Sequence, residues 1–207
     1  LVAAFDRLAE GRYDARVHRS PLRGEYEAGI FVRSGLAMTD RTVDDGGDLR
    51  TVEATVRVDD RQLLVIAAHP TAPEDRPTFV EWRRQLRSLR DRMHRVDGAA
   101  IVLGDLNAGT LQAPFEQLAR RTRFRDAHAM TGRALVPSWG VLPSLPRWVP
   151  TLVARLDHLL VTPQVAVVAL TDLDPVGSDH RPFEAELLVG PSGADAADGP
   201  SVVGDGC

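Results

Sequence analysis

Asp105 and Asn107 stand two residues apart at the end of an apolar run, Asp157 closes another segment, Asp179 and His180 are adjacent, and His69 ends a third run. Acids, an amide and imidazoles of this kind suit attack of water on a phosphoester. That reaction needs a hard divalent cation held by one or two carboxylates, a base for the water, and donors facing the charge that grows on the phosphoryl oxygens. Asp179, with Asp105 as a second ligand, suits a cation such as Mg²⁺, with Mn²⁺ as an alternative. Asp105 or His180 suits the base, and Asn107 and His69 suit the donors. A histidine keeps one tautomer when its second nitrogen is held by an acid; Asp157 is the candidate holder of His180.

These residues need strand ends to bring them together. Leu63–Ala68 is a continuous apolar run, which suits a strand covered on both faces, and it delivers His69 just before Pro70. Ala99–Leu103 is a second such strand, stopping at Gly104-Asp105-Leu106-Asn107, so the two polar side chains leave its end on one side. Ala154–Val161 carries Asp157, Val165–Leu170 is the strand that follows, and Gly177-Ser178-Asp179-His180 is a loop before the alternating strand Phe183–Val189. His158, next to Asp157, points to the opposite sheet face and is read as packing.

The remaining chain supplies scaffold. Leu1, Phe5 and Leu8 are in helical register over 1–9, an Arg-, Pro- and Gly-rich loop follows, and Ala28–Arg33 reads as a strand. Asp44-Asp45-Gly46-Gly47 marks a turn before Arg50–Val58, where Val52, Ala54, Val56 and Val58 alternate with polar residues as in a half-buried antiparallel strand. Thr78 and Glu81 have capping-box spacing, and Trp82, Leu86, Leu89, Met93 and Val96 form one helical stripe. Arg83, Arg84, Arg87, Arg90 and Arg95 fall mostly off it and read as a solvated face. A short helix is predicted over Ala113–Arg121. His18, His94 and His128 have no motif around them and read as surface or packing residues.

Composition bounds the class. With 207 residues, 43% of them hydrophobic, the chain encloses one core. A net charge of −4 argues against holding nucleic acid by a broad basic surface. All 25 basic residues are arginine, and the lone Cys207 leaves neither a disulfide nor a thiolate cluster. No apolar run reaches the roughly 18 residues of a membrane span, and no signal peptide opens the chain. The start at Leu1 predicts an upstream segment. One catalytic domain is predicted over 1–189, acting as a monomer, with a disordered acidic tail over 190–207.

Gly104-Asp105-Leu106-Asn107, Arg155-Leu156-Asp157-His158 and Ser178-Asp179-His180 resemble, in order, the three C-terminal motifs of the endonuclease/exonuclease/phosphatase superfamily. His69 in Ala68-His69-Pro70 resembles that superfamily's strand-end histidine. The resemblance implies a DNase I-like α/β fold: a sandwich of two mixed sheets flanked by helices in four layers. It also implies an asparagine and a main metal-binding glutamate on two strands that would lie before Leu1. Pro137-Ser138-Trp139 and Val176 to His180 are similar to bacterial VanJ-type phosphatases. For the full-length protein that likeness implies upstream transmembrane helices, an outward-facing domain and a lipid-linked pyrophosphate substrate; without such an anchor a cytoplasmic place is expected. The leading expectation is thus a Mg²⁺-dependent phosphoesterase for a small or lipid-linked substrate. A nuclease acting on DNA or RNA is the second reading, and a catalytically silent fragment or binding module the third.

Overall fold

A computed structural model describes residues 12–19, 26–44, 51–140, 154–175 and 177–190. In chain order the elements are β1 (Tyr13–Arg19), β2 (Tyr26–Arg33), β3 (Met38–Asp44), β4 (Thr51–Val58), β5 (Arg61–Ala68), α1 (Arg76–His94), β6 (Ala100–Asp105), α2 (Ala113–Arg121), β7 (Arg125–Asp126), α3 (Ala127–Met130), β8 (Asp157–Val161), β9 (Val165–Asp172) and β10 (Phe183–Val189). A six-stranded mixed sheet runs β3-β4-β5-β6-β8-β7, and two antiparallel pairs, β1-β2 and β9-β10, form the opposing layer. Among the described residues only β5 and β6 pair in parallel, because α1 crosses over between them.

Alternation along the central strands splits the core in two. Val65 and Ala67 of β5, Ile101 of β6 and Leu159 and Val161 of β8 face the β1-β2 and β9-β10 layer, with Ile30, Val165 and Leu170 across from them. Ile66, Ala68, Ala100, Val102 and Leu160 face the other way, against Trp82, Leu86, Leu89 and Met93 of α1 and Phe115 and Leu118 of α2. Strands buried on both faces must read as unbroken apolar runs, which is how β5 and β6 read. The whole is the mixed α/β, DNase I-like sandwich.

Several local expectations are corrected. Strand β4 is not open on its polar side: Thr51 and Glu53 are buried, and Arg92 of α1 closes on Glu53 through Nε and Nη2 at 2.9 and 2.7 Å. Helix α1 starts at Arg76, two residues before Thr78. Asp75 is its N-cap, accepting from the Thr78 N–H at 2.8 Å, while the Thr78 hydroxyl accepts from the Asp75 N–H at 2.8 Å, so the capping box is Asp75 with Thr78 rather than Thr78 with Glu81. Residues 13–19, read as loop, form β1 on its ladder to β2, and Met38–Asp44 adds an edge strand. Asp157 begins β8; Ala154 makes only an isolated bridge to Trp139. The helical register over 1–9, the turn at 45–47 and the tail from 191 onward lie outside the described residues.

Candidate active site

The C-terminal ends of β5 and β6 and the start of β8 meet at one edge of the large sheet. Asp105 and Asp157 are register partners across β6 and β8, so two carboxylates face each other where the ladder stops. Beyond Asp105 the chain turns in an Asx motif, with the Asn107 N–H donating to Asp105 Oδ1 at 2.7 Å and Asn107 at a left-handed φ of 48°. The Asn107 side-chain amide donates to the Pro70 carbonyl at 3.0 Å and ties the segment after His69 to this turn. The Trp82 indole donates to the Leu106 carbonyl at 3.1 Å, and His158 Nε2 donates to the Ala108 carbonyl at 2.8 Å.

Four predicted site residues converge. Asp105 Oδ2 lies 3.9 Å from His69 Nε2 and 3.8 Å from His180 Nε2. His180 Nδ1 is 2.8 Å from Asp157 Oδ2, so its ring is held by an acid from the neighbouring strand. A proton on Nδ1 then leaves Nε2, the nitrogen nearer Asp105, to exchange protons. Asn107 joins them through the turn, with one amide hydrogen engaged on Pro70. Asp179 stands at the rim, its Oδ2 accepting from the Trp139 indole at 3.2 Å.

Burial shapes the titration here. Desolvation of the Asp105 carboxyl raises its pKa, and Asp157 pushes it further up; the Asn107 N–H, His69 and His180 pull back without cancelling the rise. Burial of the His180 ring favours its neutral form, but the bond to Asp157 and the charges of Asp157, Asp105 and Asp179 more than reverse this, and its pKa is raised. His158, fully buried and stacked on Phe115 at 3.9 Å between ring centroids, is pushed by burial down to about 4. It is a packing residue, as its position on the far face of β8 predicts.

Two residues given no role in the sequence bind the site together. Ser138, wholly buried, accepts with Oγ from the N–H groups of Leu156 at 2.9 Å and Asp157 at 3.0 Å, and its carbonyl accepts from the Arg181 N–H at 2.6 Å. One serine therefore fixes both the strand carrying Asp157 and the loop carrying His180. Behind them Asp172 takes Arg155 Nη2 at 2.7 Å and Arg133 Nε at 2.8 Å. Burial raises the Asp172 pKa, but those two guanidiniums more than offset this and hold it below the usual carboxylate range.

The donor chemistry fits a hard divalent cation. Asp105 and Asp157 are apposed carboxylates whose mutual repulsion a cation would relieve, and Asp179 keeps Oδ1 for a ligand beside the Trp139 bond. Among the described residues no group of three or more His, Cys, Asp or Glu side chains is arranged to hold a metal.

The Endonuclease/Exonuclease/phosphatase family profile matches residues 3–180. The chain belongs to this family. Family members are hydrolases, nucleases and phosphatases among them, and generally use divalent metal ions. No curated protein matches the sequence. Among solved structures, the endonuclease/exonuclease/phosphatase of Bacteroides vulgatus is 17% identical over 91% of this chain and 82% of its own, with a TM-score of 0.65. D. rerio TDP2 complexed with a single-strand DNA product is 14% identical over 90% and 81%, with a TM-score of 0.72. The mannosyl-6-phosphatase of Bacteroides thetaiotaomicron is 15% identical over 90% and 82%, with a TM-score of 0.59. At these identities the likeness is one of fold. Among the described residues no helix is long and apolar enough to cross a membrane.

Proposed function

We propose that this family member is a divalent-metal-dependent phosphoester hydrolase acting on a small or lipid-linked phosphorylated substrate. The observation that carries the reading is Asp105 Oδ2 placed between His69 Nε2 at 3.9 Å and His180 Nε2 at 3.8 Å, with His180 anchored on Asp157 at 2.8 Å. Asp105 accepts the proton of the attacking water. His180, oriented by Asp157, donates from Nε2 to a phosphoryl oxygen, and His69 and the second amide hydrogen of Asn107 donate to the same developing charge. Asp179 and Asp105 would hold Mg²⁺, or Mn²⁺ in its place, and the ion would supply Lewis-acid polarisation of the phosphate.

Hydrolysis by the complete protein, measured in parallel on a lipid pyrophosphate, on small phosphate monoesters and on plasmid DNA with and without EDTA, tests this. EDTA-sensitive release of phosphate from the lipid or the monoesters supports it; turnover unaffected by EDTA and by Asp105→Ala overturns it. A nuclease is the second reading, favoured by the fold likeness to a protein captured with a single-strand DNA product. Metal-dependent nicking of plasmid with no phosphate release from the other substrates would select it.

A further inference from the structure

Helices α1 and α2 enclose a cleft of about 370 Å³ on the outer face of the large sheet. Its floor is apolar: Trp82, Leu86 and Leu118 are buried, and Phe79 lies at the mouth, its ring 5.5 Å from that of Trp82 and 43% exposed. Its wall is cationic. Arg83, Arg87 and Arg90 descend one side of α1 at spacings of four and three, and no acidic residue lines the cleft.

Two of the three cleft arginines have no acidic partner among the described residues, although other arginines of α1 do. Arg84, Arg92, Arg123 and Arg155 pair with Glu81, Glu53, Asp97 and Asp172. Arg90 is engaged on Asp91 and Gln117. Arg83 has its guanidinium over the Phe79 ring at 5.8 Å, and Arg87 has neither a hydrogen-bond nor an ion-pair partner among the described residues. Two uncompensated guanidiniums above a hydrophobic floor complement a ligand with an anionic head and an apolar body. Guanidinium forks take such heads bidentately, and the cleft has the size of a small-ligand pocket.

We propose that this cleft is a second binding site, separate from the catalytic one, for a single amphiphilic organic anion whose chain lies on Phe79, Trp82, Leu86 and Leu118 and whose head meets Arg83 and Arg87. A polynucleotide is less well matched, because the floor is one small patch of aliphatic and aromatic side chains rather than a platform for successive bases. The proposal does not depend on which phosphoester is hydrolysed.

Calorimetric titration of the full chain with octyl sulfate, below its micelle-forming concentration, tests it against inorganic sulfate, octyl glucoside, anionic vesicles and a short oligonucleotide. Octyl sulfate should bind at least tenfold tighter than sulfate or octyl glucoside. The Arg83→Gln/Arg87→Gln protein should lose that preference, the partly exposed Phe79→Ser should weaken binding several-fold, and Asp105→Asn should leave binding unchanged. Equal affinity for bare sulfate, binding untouched by the arginine variants, binding lost in Asp105→Asn, or retention only by vesicles or oligonucleotide would each overturn it.

Discussion

Gly104 sits where β5 and β6 run closest, one residue before Asp105, at a φ of 137°. A Cβ there would stand 2.1 Å from the Ala68 carbonyl oxygen and 3.1 and 3.3 Å from that residue's carbonyl carbon and nitrogen. The obstruction is strand backbone rather than a flexible side-chain tip, so Gly104→Ala must part the two strand ends by roughly an ångström or more. The left-handed φ adds about 1–3 kcal/mol of strain and the forced backbone shift about 1–3 kcal/mol more, giving a total of about 2–6 kcal/mol. Equilibrium urea unfolding, with the slope unchanged, should show the midpoint fall accordingly. The same shift moves His69 away from Asp105, and a misplacement of this size lowers turnover by about 100-fold. A Gly104→Ala protein within about 0.5 kcal/mol of the parent would refute the reasoning from the close approach.

Ser138→Ala strips the acceptor from two N–H groups at a buried site, at roughly 1–3 kcal/mol each, and urea midpoints should register the loss together with slower hydrolysis. Arg155→Met leaves the Asp172 carboxylate buried with Arg133 alone and should cost about 3–5 kcal/mol, most of it restored in Arg155→Met/Asp172→Leu; a double variant no better than the single one would count against the buried pair. His158 is held at about 4 from an ordinary 6.5, so the unfolded chain takes up its proton first as pH falls. Its neutral burial therefore contributes fully above 6.5 and is lost progressively down to about 4, worth on the order of 3 kcal/mol over that window. Unfolding free energies at pH 7.5 and 4.5 should differ less in His158→Gln than in the parent. Asp172 acts at lower pH: its depressed carboxyl stabilises the fold above the unfolded-state value, and that contribution goes as pH drops through the folded one.

The strand ends were legible because β5 and β6, buried on both faces, can only be unbroken apolar runs, and the polar residues that stop those runs are the ones that meet. The pairing of Asp157 with His180 was legible for the same reason, each lying at the edge of a readable strand. Ser138 was not, because its bonds to the Leu156 and Asp157 N–H groups join a loop to a strand start across 18 and 19 residues without any periodicity. Residues 13–19 do alternate, Tyr13, Ala15 and Val17 against Asp14, Arg16 and His18, but the stretch is short and set among Arg, Pro and Gly, so it reads as loop until its ladder to β2 is seen. Arg92 and Arg83, nine residues apart, border the apolar stripe of α1 on opposite sides. One folds over Glu53 and the other lines an apolar cleft, a difference set by what α1 packs against.

Asp105→Asn tests the catalytic assignment most directly. The substitution keeps the size of the side chain and an oxygen to accept the Asn107 N–H, and removes the negative charge between His69 and His180. Measured as kcat on whichever phosphoester the parent hydrolyses, at saturating Mg²⁺ and with circular dichroism unchanged, turnover should drop by about 10²–10⁴-fold. Turnover within about threefold of the parent would contradict a role for Asp105 in activating the water and move the chemistry away from this sheet edge.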